Sequence, residues 1–223
     1  TAITAASAVQ SLKVVDAWNK DLPALTKVQL SWKAPKSLFG AKVSYYAIEY
    51  SSDAGKTWSR IKGTSATTFS FTSGITAGTK YSYRVRADTK LGTASKLGAP
   101  SSAVTLVATA APQAPVLTSS ASITSKDATV VWQQQSMSER GGLQVTYTAT
   151  AQAAGTTDVT CQSTTNSCTL SGLISNFSYV VSLVAKNQRG SATAVVTVSA
   201  TKLDPNFGSQ WYLSDTTGIN VQK

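Results

Sequence analysis

Histidine is absent from these 223 residues, which removes the usual general base, the commonest zinc ligand and any Ser-His-Asp or Cys-His arrangement. No catalytic constellation remains, so the chain reads as a non-enzyme with neither a cofactor nor a metal site. Charge is sparse as well, at 13% Asp, Glu, Lys and Arg. No long stretch has helical periodicity, and the apolar run 104–111 is too short and too interrupted by Thr to span a bilayer, so no membrane insertion is expected. No basic-then-apolar leader opens the chain at Thr1, which points to a mature product or an excised fragment and not to a cytosolic origin. What is abundant is Thr, Ser, Val and Ala, a composition that favours strands, and 42% hydrophobic residues suffice to build cores.

Cysteine is limited to Cys161 and Cys168. The intervening 162–167 is polar and rich in Thr and Ser, as a hairpin loop is, and no His or further Cys stands nearby to complete a metal site. The expectation is a disulfide across a hairpin. Closing so short a loop stabilises by about 2.5 kcal/mol on chain-entropy grounds, less any strain, and a bridge implies an oxidising compartment.

Along the chain, an extended stretch over 11–18 precedes Val28-Gln29-Leu30-Ser31-Trp32, which alternates apolar and polar residues as a half-buried strand must. A third strand over 43–51 runs into the turn signal Asp53-Ala54-Gly55-Lys56, and 57–61 is its hairpin partner. Phe69 and Phe71 alternate before Ser73-Gly74. Tyr81, Tyr83, Val85 and Ala87 then share one face, while Lys80, Ser82, Arg84 and Arg86 share the other. Gly92 marks a turn, and 103–109 supplies the last strand. The prolines of Ala111-Pro112-Gln113-Ala114-Pro115 cannot donate ladder hydrogen bonds and stiffen a boundary.

The plan then repeats. Thr129-Val130-Val131-Trp132 matches the Trp32 strand, 143–151 the third strand, and 178–185 the strand from Tyr81 to Ala87. Trp32 and Tyr81 are 49 residues apart, Trp132 and Tyr179 47 apart, so two separate sandwiches are expected, each with its own core. The expected organisation is a linker at 1–8, domains at 9–110 and 111–201, and a tail at 202–223.

Residues 75–87 and Leu173-Ile174-Ser175-Asn176-Phe177-Ser178-Tyr179 resemble the fibronectin type III signature around its tyrosine corner, with Ile75 and Leu173 each six positions before the Tyr. Trp32 and Trp132 resemble that family's buried strand-B tryptophan, and 185–191 its turn between the last two strands. The resemblance covers about 9 to 201 and implies two tandem all-β, immunoglobulin-like sandwiches in a secreted or cell-surface protein. The second unit departs from the pattern in having no Gly between Leu173 and Tyr179. Thr160-Cys161 with Ser167-Cys168-Thr169-Leu170-Ser171-Gly172-Leu173 resembles a variant common in secreted actinobacterial proteins. In the tail, Asp204-Pro205-Asn206-Phe207, Gln210-Trp211-Tyr212-Leu213 and Gly218-Ile219-Asn220-Val221 resemble the opening of subtilisin-like serine proteases. The alternative there is a tail packed back on the second domain.

Arg189-Gly190-Ser191 lacks the Asp of an integrin-binding tripeptide and reads as a turn; Asp53 and Asp158 lack the converging oxygens that calcium needs. The net charge of +10 is uneven: residues 1–110 hold 14 basic and 5 acidic side chains, whereas 111–201 hold 4 and 3. Lys80, Arg84 and Arg86 share a face, with Arg60 and Lys62 expected on a strand of the same sheet, and such a face attracts an anionic surface polymer. The plainer reading is that these cations keep a solvated surface soluble and its edges unpaired. No motif for specific nucleic-acid recognition accompanies them. Three functions follow: a non-catalytic extracellular spacer or protein-interaction module, an accessory region of a secreted subtilisin-like protease, and a polymer-binding module acting through the first domain.

Overall fold

Two-residue alternation sets this architecture, because successive side chains of a strand point to opposite faces. A computed structural model describes residues 2–23, 26–118, 126–174, 177–200 and 211–214, with the backbone alone at 62, 197–200 and 211–214. The chain divides into two units, Thr1–Ala110 and Ala111–Lys223. Every regular element among the described residues is a strand, and no helix is long and apolar enough to cross a membrane.

The first unit contains β1 (Gln10–Asp16), β2 (Val28–Lys33), β3 (Lys42–Ser51), β4 (Ser59–Thr64), β5 (Thr68–Phe71), β6 (Lys80–Leu91), β7 (Ala94–Leu97) and β8 (Val104–Val107). One sheet runs β1-β2-β5; the other runs β4-β3-β6-β7, and β8 also pairs with β6. Val28, Leu30 and Trp32 from the first sheet meet Tyr46, Ile48, Tyr81, Tyr83, Val85 and Ala87 from the second in one buried cluster. Both strands therefore face as their alternation indicates. Trp32 packs edge-on against Tyr46 at 5.4 Å, and Phe71 against Tyr83 at 5.8 Å.

The last strand expected over 103–109 is present as β8, and β7, which the sequence reading did not contain, precedes it and is separated from it by an interruption. Pro100 has no N–H to offer a ladder, and Gly98 approaches its neighbours so closely that a Cβ there would lie 2.9 Å from Ala87 O. Ser101 repairs the gap: its N–H donates to Val85 O at 3.0 Å, and its hydroxyl oxygen accepts from Val85 N–H at 3.1 Å.

The second unit contains β9 (Leu117–Thr118), β10 (Asp127–Trp132), β11 (Thr146–Gln152), β12 (Val159–Ser163), β13 (Ser167–Ser171), β14 (Ser178–Asn187), β15 (Gly190–Ala200) and β16 (Trp211–Ser214). Its sheets run β13-β10-β9 and β12-β11-β14-β15-β16. Trp132, 1% exposed, packs 5.0 Å from Tyr147 within a cluster that includes Val145, Leu170, Tyr179 and Leu183. The boundary residue Gln113 is held here: its N–H donates to Glu139 O at 2.7 Å, and its carbonyl accepts from Gln135 Nε2, whose Oε1 in turn accepts from the Tyr147 hydroxyl.

Cys161 and Cys168 are bonded to one another, with Cα atoms 5.9 Å apart, but the hairpin expected around them is not formed. Cys161 lies on β12 opposite Ala149, in the five-stranded sheet, and Cys168 lies on β13 opposite Val130, in the three-stranded one. The polar segment between them is a crossover from sheet to sheet, so the disulfide staples the sandwich across its two layers. A polar loop of this length fits either connection, and only strand pairing separates them.

The tail adds a strand that the sequence reading did not contain. β16 pairs antiparallel with β15, from Thr197 opposite Ser214 to Ala200 opposite Trp211. The remainder of the tail, including the Asp204 and Gly218 motifs, lies outside the described residues.

Candidate functional site

The outer face of the first unit's larger sheet collects the cations singled out above. Because Tyr83, Val85 and Ala87 turn into the core, Arg84 and Arg86 turn out and are half-buried. Register places Glu49 of β3 opposite both Arg84 of β6 and Arg60 of β4. Arg84 Nε donates to Glu49 Oε2 at 2.5 Å, a short charge-assisted bond. The same guanidinium lies 4.1 Å from the ring centre of Trp58, and that of Arg60 lies 5.0 Å from the ring centre of Tyr45. Two cation–aromatic stacks thus flank one carboxylate.

Trp58 is fixed in turn by the β3–β4 turn. Its Nε1 donates to Gly55 O at 3.0 Å, and a Cβ at Gly55 would touch the indole at 3.5 Å. Gly55 also holds φ 88°, which suits glycine. Asp53 clasps the turn, accepting from the Ser51 hydroxyl at 2.6 Å and from the Thr57 hydroxyl at 2.6 Å. The Ser51 bond foremost, then those from Thr57, hold its carboxyl down to about 2. With the folded value lowered, this contribution to the turn is present above the ordinary Asp range and fades as pH falls toward 2.

The five cations differ in how they are engaged among the described residues. Arg84 is engaged by Glu49 and Trp58, and Arg86 Nε donates to Gly98 O at 2.9 Å. Arg60 is exposed, and exposed Lys80 stands at the start of β6 opposite Val107. Lys62 is paired with Ile48 at the register shift in β3–β4; its side chain lies outside the described residues. Glu49, Tyr45 and Trp58 were not singled out from sequence. The alternation Tyr45, Ala47, Glu49 carried the signal, but using it requires knowing that β3 is the neighbour of β6.

The corresponding face of the second unit has a different chemistry. Where Arg84 sits opposite Glu49, Ser182 sits opposite Thr150, and Thr160 stands opposite Thr150 where Arg60 faces Glu49. Val184 takes the place of Arg86 beside Thr148. Hydroxyls and methyls replace guanidinium groups and rings.

Both units share one further device. Tyr81 Oη accepts a hydrogen bond from Thr76 N–H at 3.0 Å, and Tyr179 Oη accepts one from Ile174 N–H at 2.9 Å. Each tyrosine closes the loop before its own strand by bonding back five residues, a known mark of immunoglobulin-like sandwiches. The model of the fibronectin type III domain matches residues 23–104 and again 110–199. The chain belongs to the fibronectin type III family.

A two-domain fibronectin type III segment of chicken tenascin is 20% identical, with 86% of this chain and 99% of that one covered at a TM-score of 0.41. The FN1–FN3 domains of chicken CNTN1 are 15% identical, with 95% and 76% covered at a TM-score of 0.46. Comparison with curated proteins finds no match. The outer face of the first fibronectin type III domain is thus ion-paired and ring-stacked, while the matching positions of the second carry Thr150, Ser182 and Val184, with Lys186 further along β14 on the same face.

Proposed function

We propose that this pair of fibronectin type III domains, placed at 9–110 and 111–201, is a non-catalytic spacer and interaction module of a secreted or surface-attached bacterial protein. The observation that carries the reading is where the polar side chains are engaged. Arg84 is bound to Glu49, Asp53 to Ser51 and Thr57, Glu139 to Ser136, and Gln135 to Tyr147. Groups that could do chemistry are committed to holding turns and faces, which leaves shape and surface as the working properties. The inter-sheet disulfide supports an oxidising compartment. The tail motifs support a parent in which a subtilisin-like protease domain follows, with these domains as its accessory region. Exchanging both domains in the parent for unrelated sandwiches of equal length tests the spacer role: its activity should persist, and a loss despite normal folding would overturn the reading.

A second reading is supported by the charge asymmetry. The first domain would bind an anionic surface polymer, with exposed Arg60 and Lys80 as its contacts, Lys62 as a further candidate, and Arg84 and Arg86 held behind them as part of the face. Retention of the first domain on immobilised heparin should fall steeply between about 50 and 200 mM salt, and Arg60→Ala with Lys80→Ala should weaken it. Equal retention of both domains would end this reading. Arg84 and Arg86 are poor test positions, since their reversal to Glu also breaks the bonds to Glu49 and Gly98.

A further inference from the structure

The loop that leads into β3 ends in a tight turn, Leu38-Phe39-Gly40-Ala41, closed by the Ala41 N–H donating to Leu38 O at 3.0 Å. Phe39 and Gly40 hold φ 50° and 78°, a mirror-image turn whose central places normally fall to Gly, Asn or Asp. A bulky side chain is strained there, and Phe39 recovers little by packing, because it is 58% exposed. At the turn between β6 and β7, Leu91 is exposed as well. Lys42 of β3 lies directly opposite Lys90 of β6, so the turn before β3 and the turn after β6 leave the same end of the sheet side by side. Cations gather at this end. Lys33 at the end of β2, Lys36, Lys42 and Lys90 are all exposed, and the opposed pair Lys42 and Lys90 sets like charges face to face, which costs stability. None of the four has an ion-pair partner among the described residues. The one acid on 33–43 and 86–97 is Asp88, which is buried, while Glu49 and Asp53 stand toward the other end of β3. A strained exposed ring and an opposed lysine pair are two local costs with no return inside the fold.

We propose that this tip of the first domain docks on an anionic lipid surface, with Phe39 and Leu91 entering the boundary between headgroups and acyl chains and the lysines meeting the lipid phosphates and carboxylates. Charge complementarity requires an acidic partner, and the exposed apolar side chains require one with an apolar interior. A polyanionic polymer would answer the lysines but offers Phe39 nothing apolar. A protein would need a pocket shaped to two separate turns, whereas a lipid surface adapts to whatever projects into it. Apolar burial and attraction to anionic headgroups together hold a peripheral element at such a surface, and no spanning segment is needed. Lys80 starts β6 and Lys90 lies near its far end, so the tip is separate from the face of Arg60 and Lys80.

Co-sedimentation of the full chain with vesicles tests this. The chain should bind vesicles of mixed phosphatidylcholine and phosphatidylserine at low salt and should not bind vesicles of phosphatidylcholine alone. Phe39→Asn suits the turn and should leave folding intact, yet it should weaken vesicle binding at least about tenfold, as should Lys42→Glu with Lys90→Glu. Retention on heparin should be unchanged by Phe39→Asn, which keeps this result independent of the polymer reading. Entry into the lipid can be read at one position, since the chain's own two cysteines are bonded together. An environment-sensitive dye on Phe39→Cys should shift to the blue on the mixed vesicles and be quenched by spin-labelled lipid, whereas the same dye on Ser59→Cys, opposite Tyr50 at the other end of the sheet, should do neither. No binding to the mixed vesicles, or equal blue shifts at both positions, would overturn the inference. Binding that falls with the lysines but survives Phe39→Asn would mark a merely charged surface, open to any acidic macromolecule, and would equally overturn it.

Discussion

The hydroxyl of Tyr83 is buried in the first domain with no hydrogen-bond partner among the described residues. An unsatisfied buried group of this kind costs about 1–3 kcal/mol. Burial, with Tyr81 and Tyr50 nearby, pushes its phenol well above the ordinary tyrosine range. A folded value above the unfolded one means that the contribution is full below about pH 10 and lost as pH climbs through the folded value. Tyr83→Phe should therefore keep or raise first-domain stability at pH 8 and flatten its decline above pH 10. Urea unfolding at pH 8 and pH 11 reads both, and a loss above about 1 kcal/mol at pH 8 would show that the hydroxyl has a partner. Alternation placed Tyr83 on one face with Tyr81, Val85 and Ala87, which is the buried one. It could not identify Glu49 as the partner of Arg84, because that contact joins residues on strands whose adjacency no local pattern encodes.

Facing was legible in the sequence at the scale of elements, but pairing was not. The strands around Trp32 and Tyr81 show their buried sides through period-two patterns, whereas Thr129-Val130-Val131-Trp132 and 178–185 carry apolar residues on both faces and were recognised by their landmarks. The crossover between Cys161 and Cys168 has no such signature, since a polar run suits a hairpin or a change of sheet equally well. The break at Gly98 arises from a close approach to Ala6 and Ala87, which is a property of the assembled sandwich. The corrected placement has a consequence for stability. A bridge between layers restrains the sandwich directly, so Cys161→Ala with Cys168→Ala should lower second-domain stability by about 2.5 kcal/mol and leave the first domain's transition in place. Chemical denaturation of the two-domain chain checks this, and an unchanged second transition would show that the layers need no staple.

For the whole molecule, the repeat was the decisive signal, because like landmarks at like spacings require two cores. The charge imbalance was equally plain from composition. Its meaning was not, since only the fold shows Arg84 paired with Glu49 and Arg86 bonded to Gly98, leaving Arg60 and Lys80 outward. Two self-contained sandwiches form the centre of this account. Calorimetry of the Trp32→Ala variant tests it most directly, since truncating that buried ring should cost the first domain about 3 kcal/mol or more. One transition should fall in temperature while the other stays where it is in the parent chain, whereas a single transition shifting as a unit, or no shift at all, would contradict two separate cores.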